Sequence, residues 1–240
     1  MNTYQYTYQL STIDKHFRHY QPSPKYGPFI PEILGKIHQV VMSALTHHQK
    51  VLFVRADLRF PKYTFPKTPC ESDMPSSDAK VDHDVISRFQ DALRNRIQSY
   101  VNRYSKSLTV SLSLWVREVS NQYGRHYHVL IAVNGNTFFG LGSMDKEGNL
   151  QHMIKQSWNS AMGIGLEGPY TVHFSNHHYI DLAMNEDELT HKLQDAYEHF
   201  SYLAKLDTKP LHDGKRVFGC SNLNHAYWSI MTQQIKRKGA

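Results

Sequence analysis

The chain has 240 residues, which allows one sizeable domain with extensions or two small domains. Its formal net charge of +6 favours a polyanionic partner. No apolar run approaches the roughly 18–20 residues that a membrane-spanning helix needs, and the N-terminus lacks the pattern of a secretory signal. Two cysteines, far apart in sequence, form neither a disulfide framework nor a metal-ligand spacing, so we expect a reducing, cytoplasmic setting with no membrane contact.

Hydrophobic periodicity predicts an α+β fold, one domain of mixed antiparallel β-sheet and helices. Residues 1–30 are rich in tyrosine and proline, which indicates an irregular N-terminal arm. Residues 31–220 are expected to form one domain, followed by a basic tail over 221–240. In chain order we predict a helix from Pro31, a strand over 51–60, a loop over 61–80, a helix over 82–104 with Asp82 as its N-cap, strands over 108–119 and 125–133, a helix over 150–161, strand and loop over 170–182, and a helix over 186–205.

The first predicted strand has one polar face. Arg55, Asp57 and Arg59 alternate with apolar residues, so all three project to the same side. A doubly basic strand face suggests a sheet surface that meets something charged. An ordinary solvent-facing side of a strand is an equally good interpretation.

The strand over 125–133 carries two histidines on one face, because His126 and His128 are two residues apart. It follows the preceding strand through a short turn, which predicts a β-hairpin. Residues directly opposite each other in such a hairpin share a face, so Glu118 joins the two imidazoles if it pairs with His126 or with His128. The turn length permits either register. Two imidazoles and a carboxylate suit Mg²⁺, Mn²⁺ or Zn²⁺ and leave positions open for a substrate.

The last predicted helix has a polar face that includes Tyr202 and Lys205, three residues apart and therefore neighbours. An ammonium group beside a phenol favours the phenolate, and a tyrosine nucleophile needs such activation. Tyr197 lies about 140° away around the helix, towards the apolar stripe, and is predicted to belong to the core.

These features together indicate phosphodiester chemistry. A divalent metal can polarise a phosphodiester oxygen, a tyrosine can attack phosphorus and retain the DNA end, and the lysine can stabilise the developing charge. The sequence has no P-loop, so no nucleotide-driven motor is expected.

The combination resembles the HUH endonucleases, the rolling-circle replication initiators and their relatives. In that superfamily a strand carries His-hydrophobic-His, and a later helix carries the nucleophilic tyrosine. More narrowly, residues 54–61 (Val-Arg-Ala-Asp-Leu-Arg-Phe-Pro), 126–130 (His-Tyr-His-Val-Leu) and 201–205 (Ser-Tyr-Leu-Ala-Lys) are similar to inovirus-type replication proteins of bacterial prophages, the YagK/YfjJ family. The resemblance covers about residues 33–220.

The resemblance implies a fold of HUH type, a central antiparallel β-sheet flanked by helices that forms an RRM-like palm. It also implies a role for each matching residue. His126 and His128 would bind Mg²⁺ or Mn²⁺, with Glu118 as a less secure third ligand, Tyr202 as nucleophile and Lys205 as its helper. It also implies a site-specific nick in single-stranded or hairpin DNA at a replication origin, with Tyr202 linked to the 5′-phosphate. The spacing of Tyr197 and Tyr202 departs from the paired-tyrosine enzymes, which favours a single nucleophile.

The resemblance further implies partners, and it leaves other functions open. No helicase domain is present, so a host helicase and polymerase would be needed for replication. The polar strand face of Arg55, Asp57 and Arg59 is the candidate DNA platform. One alternative is a prophage DNA-binding protein that does not cut. Another is a metal-dependent nuclease whose nucleophile is water, which would leave no covalent adduct.

Overall fold

The structure, a computed structural model, describes residues 10, 13–15, 19–61, 78–104, 106–143, 147–164 and 171–221. The elements in chain order are α1 (Pro31–His47), β1 (Lys50–Arg59), α2 (Asp78–Arg103), β2 (Leu112–Ser120), β3 (Gly124–Asn134), α3 (Leu150–Ala161), β4 (Val172–Asp181), α4 (Glu186–Ser201), a 3₁₀ turn (Tyr202–Ala204) and β5 (Phe218–Cys220).

The strands form one antiparallel sheet in the order β4-β1-β3-β2-β5. Strand β3 is central and pairs with β1 on one side and with β2, its hairpin partner, on the other. The hairpin turns at Gly124, whose φ of +61° is a backbone conformation that glycine adopts without steric cost. The predicted α+β fold, an antiparallel sheet flanked by helices, is confirmed.

Helices cover both faces of the sheet. One core contains apolar residues of α1 and α4 together with one face of the strands, and the second contains those of α2 and α3 with the opposite face. Because side chains alternate along a strand, neighbouring residues of β1 enter different cores: Phe53 lies in the first and Val54 in the second.

Several predicted boundaries were wrong. Helix α2 begins at Asp78, so Asp82 lies inside the helix rather than at its N-cap, and the loop predicted over 61–80 is shorter than expected. Residues 62–77 of that loop lie outside the described residues. Strand β2 begins at Leu112 rather than near Leu108, whose side chain is exposed. The last helix ends at Ser201, and strand β5 was not predicted.

Parts of the two predicted terminal segments are not described. Residues 1–9, 11–12, 16–18 and 222–240 lie outside the described residues, and they include nearly all of the predicted basic tail. In the part of the chain that the structure describes, no helix is both long and apolar enough to cross a membrane.

Candidate active site

The site forms where one face of the sheet changes from apolar to polar. In the aligned registers of β1, β3 and β2, the apolar row Phe53, Ala132 and Leu112 is followed two rows further along by polar residues. In the first of these rows Asp57 and His128 lie beside the apolar Val116, and the next row consists of Arg59, His126 and Glu118. Because every pair is antiparallel and in register, the polar ends of three strands meet at one edge of the first core.

The hairpin register brings Glu118 directly opposite His126. Glu118 Oε2 lies 3.8 Å from His126 Nε2 and 3.3 Å from His128 Nε2. One possible ligand atom from each of the three residues lies within 4.8 Å of the others, and all three side chains are buried. The pairing of Glu118, which the sequence left open between two histidines, is therefore with His126, while its carboxylate reaches both rings.

Hydrogen bonds orient both imidazoles towards the centre of this cluster. His126 Nδ1 lies 3.0 Å from the Gly124 carbonyl oxygen, and His128 Nδ1 lies 2.5 Å from Asp57 Oδ1. When each Nδ1 donates to its oxygen, each Nε2 keeps its lone pair on the side of Glu118. His128 Nε2 is buried and has no well-aligned hydrogen bond.

These residues fit a divalent metal ion. Two imidazole nitrogens and one carboxylate oxygen converge, and the second nitrogen of each ring is held by an oxygen, the usual outer contact of a metal-binding histidine. Among the described residues this is the one group of three or more His, Cys, Asp or Glu side chains with ligand atoms that converge in this way.

Glu118 also has cationic partners from the segment that follows the 3₁₀ turn. Lys209 Nζ donates to Oε1 at 2.6 Å, and Lys205 Nζ lies 3.2 Å from Oε2. The Thr208 hydroxyl donates to Oε2 at 2.6 Å. Burial acts to raise the pKa of Glu118, but the close contacts with His128 and Lys209 outweigh it and hold that pKa well below its ordinary value. The carboxyl group is therefore ionised near neutral pH.

The two histidines have pKa values shifted in opposite directions. Burial lowers the pKa of His126, and the contact with the Gly124 carbonyl offsets only part of that shift. Burial acts in the same direction on His128, but its hydrogen bond to the Asp57 carboxylate and its contact with the Glu118 carboxylate raise the pKa above the ordinary value. Near neutral pH, His126 is thus the more readily neutral ring of the two.

Tyr202 lies against this cluster, in the 3₁₀ turn immediately after α4. Its phenolic oxygen accepts a hydrogen bond from Lys205 Nζ at 3.0 Å, which confirms the predicted contact between the two side chains. Its ring meets the His128 ring edge to face at 5.2 Å, and the Arg55 guanidinium lies 4.5 Å from its centroid. Lys205 therefore contacts both the phenol and the Glu118 carboxylate.

A stretch of the chain before α1 supports the tyrosine turn from outside. Ile30 N donates to the Ala204 carbonyl at 2.7 Å, and Leu206 N donates to the Pro28 carbonyl at 2.8 Å. Tyr26 meets the Tyr202 ring edge to face at 4.9 Å. Backbone hydrogen bonds on both sides of Lys205 thus fix the turn to the segment that precedes α1.

The polar residues of β1 occupy different parts of the site. Arg55 is half-buried and donates to the His199 carbonyl as well as covering Tyr202. Asp57 holds His128, and Arg59 lies 3.8 Å over the Tyr123 ring at the hairpin end. Asp57 and Arg59 line the cleft, which is about 280 Å³ in volume and is also lined by Glu118, His126, His128, Tyr202 and Lys205. Arg55 does not line it and reaches the site through the Tyr202 ring.

Sequence reasoning missed Thr208 and Lys209. Both come from an irregular segment after Lys205, where no periodicity relates them to the strands. Thr208 has a φ of +66°, which is unusual for a β-branched residue and marks a tightly constrained turn. Tyr197, predicted to lie in the core, is 8% exposed and packs there, as predicted.

Fold and site together define an α+β protein with a buried His-His-Glu cluster, able to hold a metal ion, beside a tyrosine–lysine pair. The chain belongs to the YagK/YfjJ C-terminal domain family, whose model matches residues 12–221. It is 30% identical over 207 residues to the uncharacterized protein YfjJ of Escherichia coli strain K12, with 82% of this chain and 97% of YfjJ covered. It is 27% identical to the uncharacterized protein YagK of the same strain, with 82% of this chain and 96% of YagK covered.

Among solved structures, the chain matches the N-terminal nuclease domain of the non-structural protein-1 of Minute virus of mice, a structure described with Zn²⁺ coordination in its active-site pocket. The match covers 79% of each chain, with 12% sequence identity and a TM-score of 0.26. At this TM-score the match carries no inference about function.

Proposed function

We propose that this protein nicks and rejoins single-stranded DNA at a replication origin through a covalent phosphotyrosine intermediate. One observation carries the proposal: the Tyr202 phenol, hydrogen-bonded by Lys205, borders the same cleft as the Glu118, His126 and His128 cluster. This chemistry requires the nucleophile and the metal-binding cluster to contact the same phosphodiester. Tyr202 and the cluster line one cleft and meet this requirement.

Each residue has a role that its contacts support. The Tyr202 oxygen attacks phosphorus and forms a new P–O bond, while the bond from phosphorus to the 3′-oxygen breaks. The proton that the phenol loses balances the proton that the leaving 3′-oxygen gains. Lys205, whose ammonium group already donates to the phenolic oxygen, stabilises the phenolate form. The products are a 5′-phosphotyrosine and a free 3′-hydroxyl.

A divalent ion, Mg²⁺ or Mn²⁺, would be held by His126 Nε2, His128 Nε2 and Glu118 Oε2, with Asp57 orienting His128. When bound there, it would polarise a phosphodiester oxygen and offset developing negative charge. Three protein ligands leave coordination positions for the substrate.

The charges around the cleft favour a polyanion. Arg59 and Lys205 line it, and Arg55 lies over the ring of the cleft residue Tyr202. A phosphodiester backbone is the polyanion that a tyrosine nucleophile can cleave reversibly. Arg55 and Arg59, with Asp57 between them on the same strand face, would form the platform that receives the DNA. The substrate would be single-stranded or extruded from a hairpin, so that the phosphodiester can enter the cleft.

The biological setting of the proposal follows from the resemblance to inovirus-type initiators. The protein would act in the cytoplasm of a bacterium, encoded by a phage or prophage. The free 3′-hydroxyl would prime a host polymerase, and a host helicase would unwind the template.

A denaturing-gel assay tests the proposal. Protein, Mn²⁺ or Mg²⁺, and labelled single-stranded oligonucleotides that tile the DNA around the protein's own gene are mixed, denatured and separated. We expect a slow-migrating protein–DNA band that chelation removes, that Tyr202→Phe lacks, and that the matched core variant Tyr197→Phe retains. Loss of the band in Tyr202→Phe follows because phenylalanine has no oxygen to attack phosphorus.

The other outcomes overturn the proposal in different ways. Cleavage that leaves no protein-linked band, in wild type and in Tyr202→Phe alike, would identify water as the nucleophile. DNA binding without cleavage, across every tile and both metals, would identify a binding-only protein.

A further inference from the structure

The candidate ligand Glu118 is already paired with two ammonium groups. Lys209 Nζ lies 2.6 Å from Oε1 and Lys205 Nζ lies 3.2 Å from Oε2. The side chains of Lys209 and Glu118 are 0% and 1% exposed, so the charge of each compensates the buried charge of the other. The cluster can therefore remain folded without a metal ion.

Lys209 differs from Lys205 in how it is held. Its neighbour Thr208 accepts a hydrogen bond from Val119 N through its carbonyl oxygen at 2.9 Å and contributes its hydroxyl to Glu118. The turn is thus fixed to β2 by one hydrogen bond to the strand backbone and by another to the Glu118 carboxylate. Lys205 borders the open cleft and contacts Tyr202, whereas Lys209 is enclosed and contacts Glu118.

A metal ion bound at Glu118 Oε2 would lie close to both ammonium groups. Like charges a few ångströms apart repel strongly where water is excluded. Arg59 lines the same cleft and Arg55 lies against the Tyr202 ring, so both add positive charge near the carboxylates of Glu118 and Asp57. An anionic phosphodiester in the cleft would offset this repulsion, so metal ion and substrate should each favour binding of the other.

We propose that Lys209 is a permanent counter-ion of Glu118 that weakens divalent-metal binding to the free protein and makes that binding depend on the phosphodiester substrate. This inference rests on the proposed function and adds an order of assembly to it: the metal ion is retained when DNA is present. Lys209 is a positioning residue in this account, since it contacts the ligand Glu118 rather than the reacting atoms.

The test is a calorimetric titration of Mn²⁺ into the full chain, with and without a single-stranded oligothymidylate. All proteins carry Tyr202→Phe, so that no DNA is cut, and Mn²⁺ bound by the oligonucleotide alone is subtracted. We expect Lys209→Met to bind Mn²⁺ roughly tenfold tighter without DNA, because one nearby positive charge is removed. We also expect the gain in affinity caused by the oligonucleotide to shrink.

Two control variants separate charge from other effects. Lys209→Arg keeps the charge and should keep weak, DNA-dependent Mn²⁺ binding. Lys192→Met removes a partly exposed lysine of α4 that pairs with Glu188, and it should bind Mn²⁺ as the parent does. If Lys209→Met does not fold, Lys209→Gln replaces it, because glutamine keeps an N–H donor for Oε1 without the charge.

Thermal unfolding gives a second readout that needs no DNA. Lys209→Met should unfold at a lower temperature than the parent without metal, since Glu118 loses its buried partner, and Mn²⁺ should raise its unfolding temperature more than that of the parent.

Mn²⁺ binding that is unchanged or weaker in Lys209→Met would overturn the inference while leaving the proposed function intact. No Mn²⁺ binding by the parent with or without DNA, or binding that Glu118→Gln leaves unaltered, would instead remove the metal centre of the proposed function.

Discussion

Asp57 contacts the far nitrogen of His128, on the side away from the candidate metal position. A carboxylate there holds the ring in the tautomer whose Nε2 lone pair faces Glu118, and it increases the basicity of that nitrogen. Asp57 thus acts on the cluster through His128, although it lies on a different strand, β1.

Replacing Asp57 should therefore weaken metal binding without removing a ligand. We expect Asp57→Ala to lower Mn²⁺ affinity by roughly 10- to 100-fold, the usual range for partners of a metal-binding histidine, as measured by calorimetry. Asp91→Asn is the control, because Asp91 is exposed and pairs only locally with Arg94 on α2. Equal Mn²⁺ affinity in Asp57→Ala and in wild type would contradict the role assigned to Asp57.

Thr208 combines a hydrogen bond to Glu118 with a positive φ, and two substitutions separate these contributions. Alanine and glycine both remove the hydroxyl, but only glycine also relieves the backbone strain. We expect Thr208→Gly to be more stable than Thr208→Ala by about 1 kcal/mol in urea unfolding. The opposite order would mean that the +66° backbone carries no strain.

At the scale of elements, β4 and α4 meet through a pair of imidazoles. His178 Nε2 and His199 Nδ1 are 2.9 Å apart, with Arg55 of β1 and Asp195 of α4 as the charged groups nearby. Burial, reinforced by the Arg55 charge, lowers the pKa of His178 to about 4 and the pKa of His199 to about 3. The two rings are therefore neutral in the folded protein at physiological pH.

This pair should make folding stability depend on pH. Below pH 6.5 the imidazoles of the unfolded chain bind protons, while those of the folded pair do not until pH falls to about 4. The free energy of unfolding therefore decreases as pH falls from 6.5 towards 4. We expect wild type to lose roughly 2 kcal/mol more between pH 7.5 and pH 5 than His178→Gln/His199→Gln, after allowance for partial exposure of the rings.

Urea unfolding at the two pH values measures this difference. His191→Gln serves as the control, because His191 is exposed and pairs only with Asp195 one turn along α4. Parallel losses of stability in wild type and in the double variant would show that the pair does not contribute.

The elements differ in how far their residues could be predicted from sequence. The hairpin of β2 and β3 and the shared face of His126 and His128 follow from alternation along each strand, which is a local property. The choice of His126 as the partner of Glu118 depends on the turn at Gly124 and was left open. The early start of α2 was missed because a proline and two serines immediately precede its first residue and are typical of a loop.

The positions of residues that are held by long-range contacts could not be predicted from the sequence. Lys209 and Glu118 are 91 positions apart, and no pattern in either segment relates them. Tyr202 was expected on the surface of a continuous helix, but α4 ends at Ser201. There the Ser201 hydroxyl donates to the Glu198 carbonyl and accepts from Ser23 N. Contacts with the segment before α1 thus shape the turn, and that segment carries no periodic signal of its own.

At the scale of the whole molecule, the two helical layers separate the cleft from other basic residues. Arg59 borders the cleft on the face of the sheet that α1 and α4 share. Arg94 is exposed on α2, which packs on the opposite face. The net charge of +6 attracts a polyanion to both sides, so charge alone does not identify the binding surface.

The salt dependence of DNA binding distinguishes these two sides. The binding is measured in a chelating buffer, which prevents cutting. The logarithm of the affinity for a labelled single strand should fall linearly with the logarithm of the salt concentration. The slope should diminish by about 0.7 for each phosphate that the protein no longer neutralises. Arg59→Ala should reduce the slope by about that amount, because its guanidinium is at the cleft, whereas Arg94→Ala should leave it unchanged. Fluorescence anisotropy over a salt series measures both slopes. Equal slopes for wild type and Arg59→Ala would exclude Arg59 from the groups that bind phosphate, and a reduced slope for Arg94→Ala would move the DNA to the α2 face, away from Tyr202.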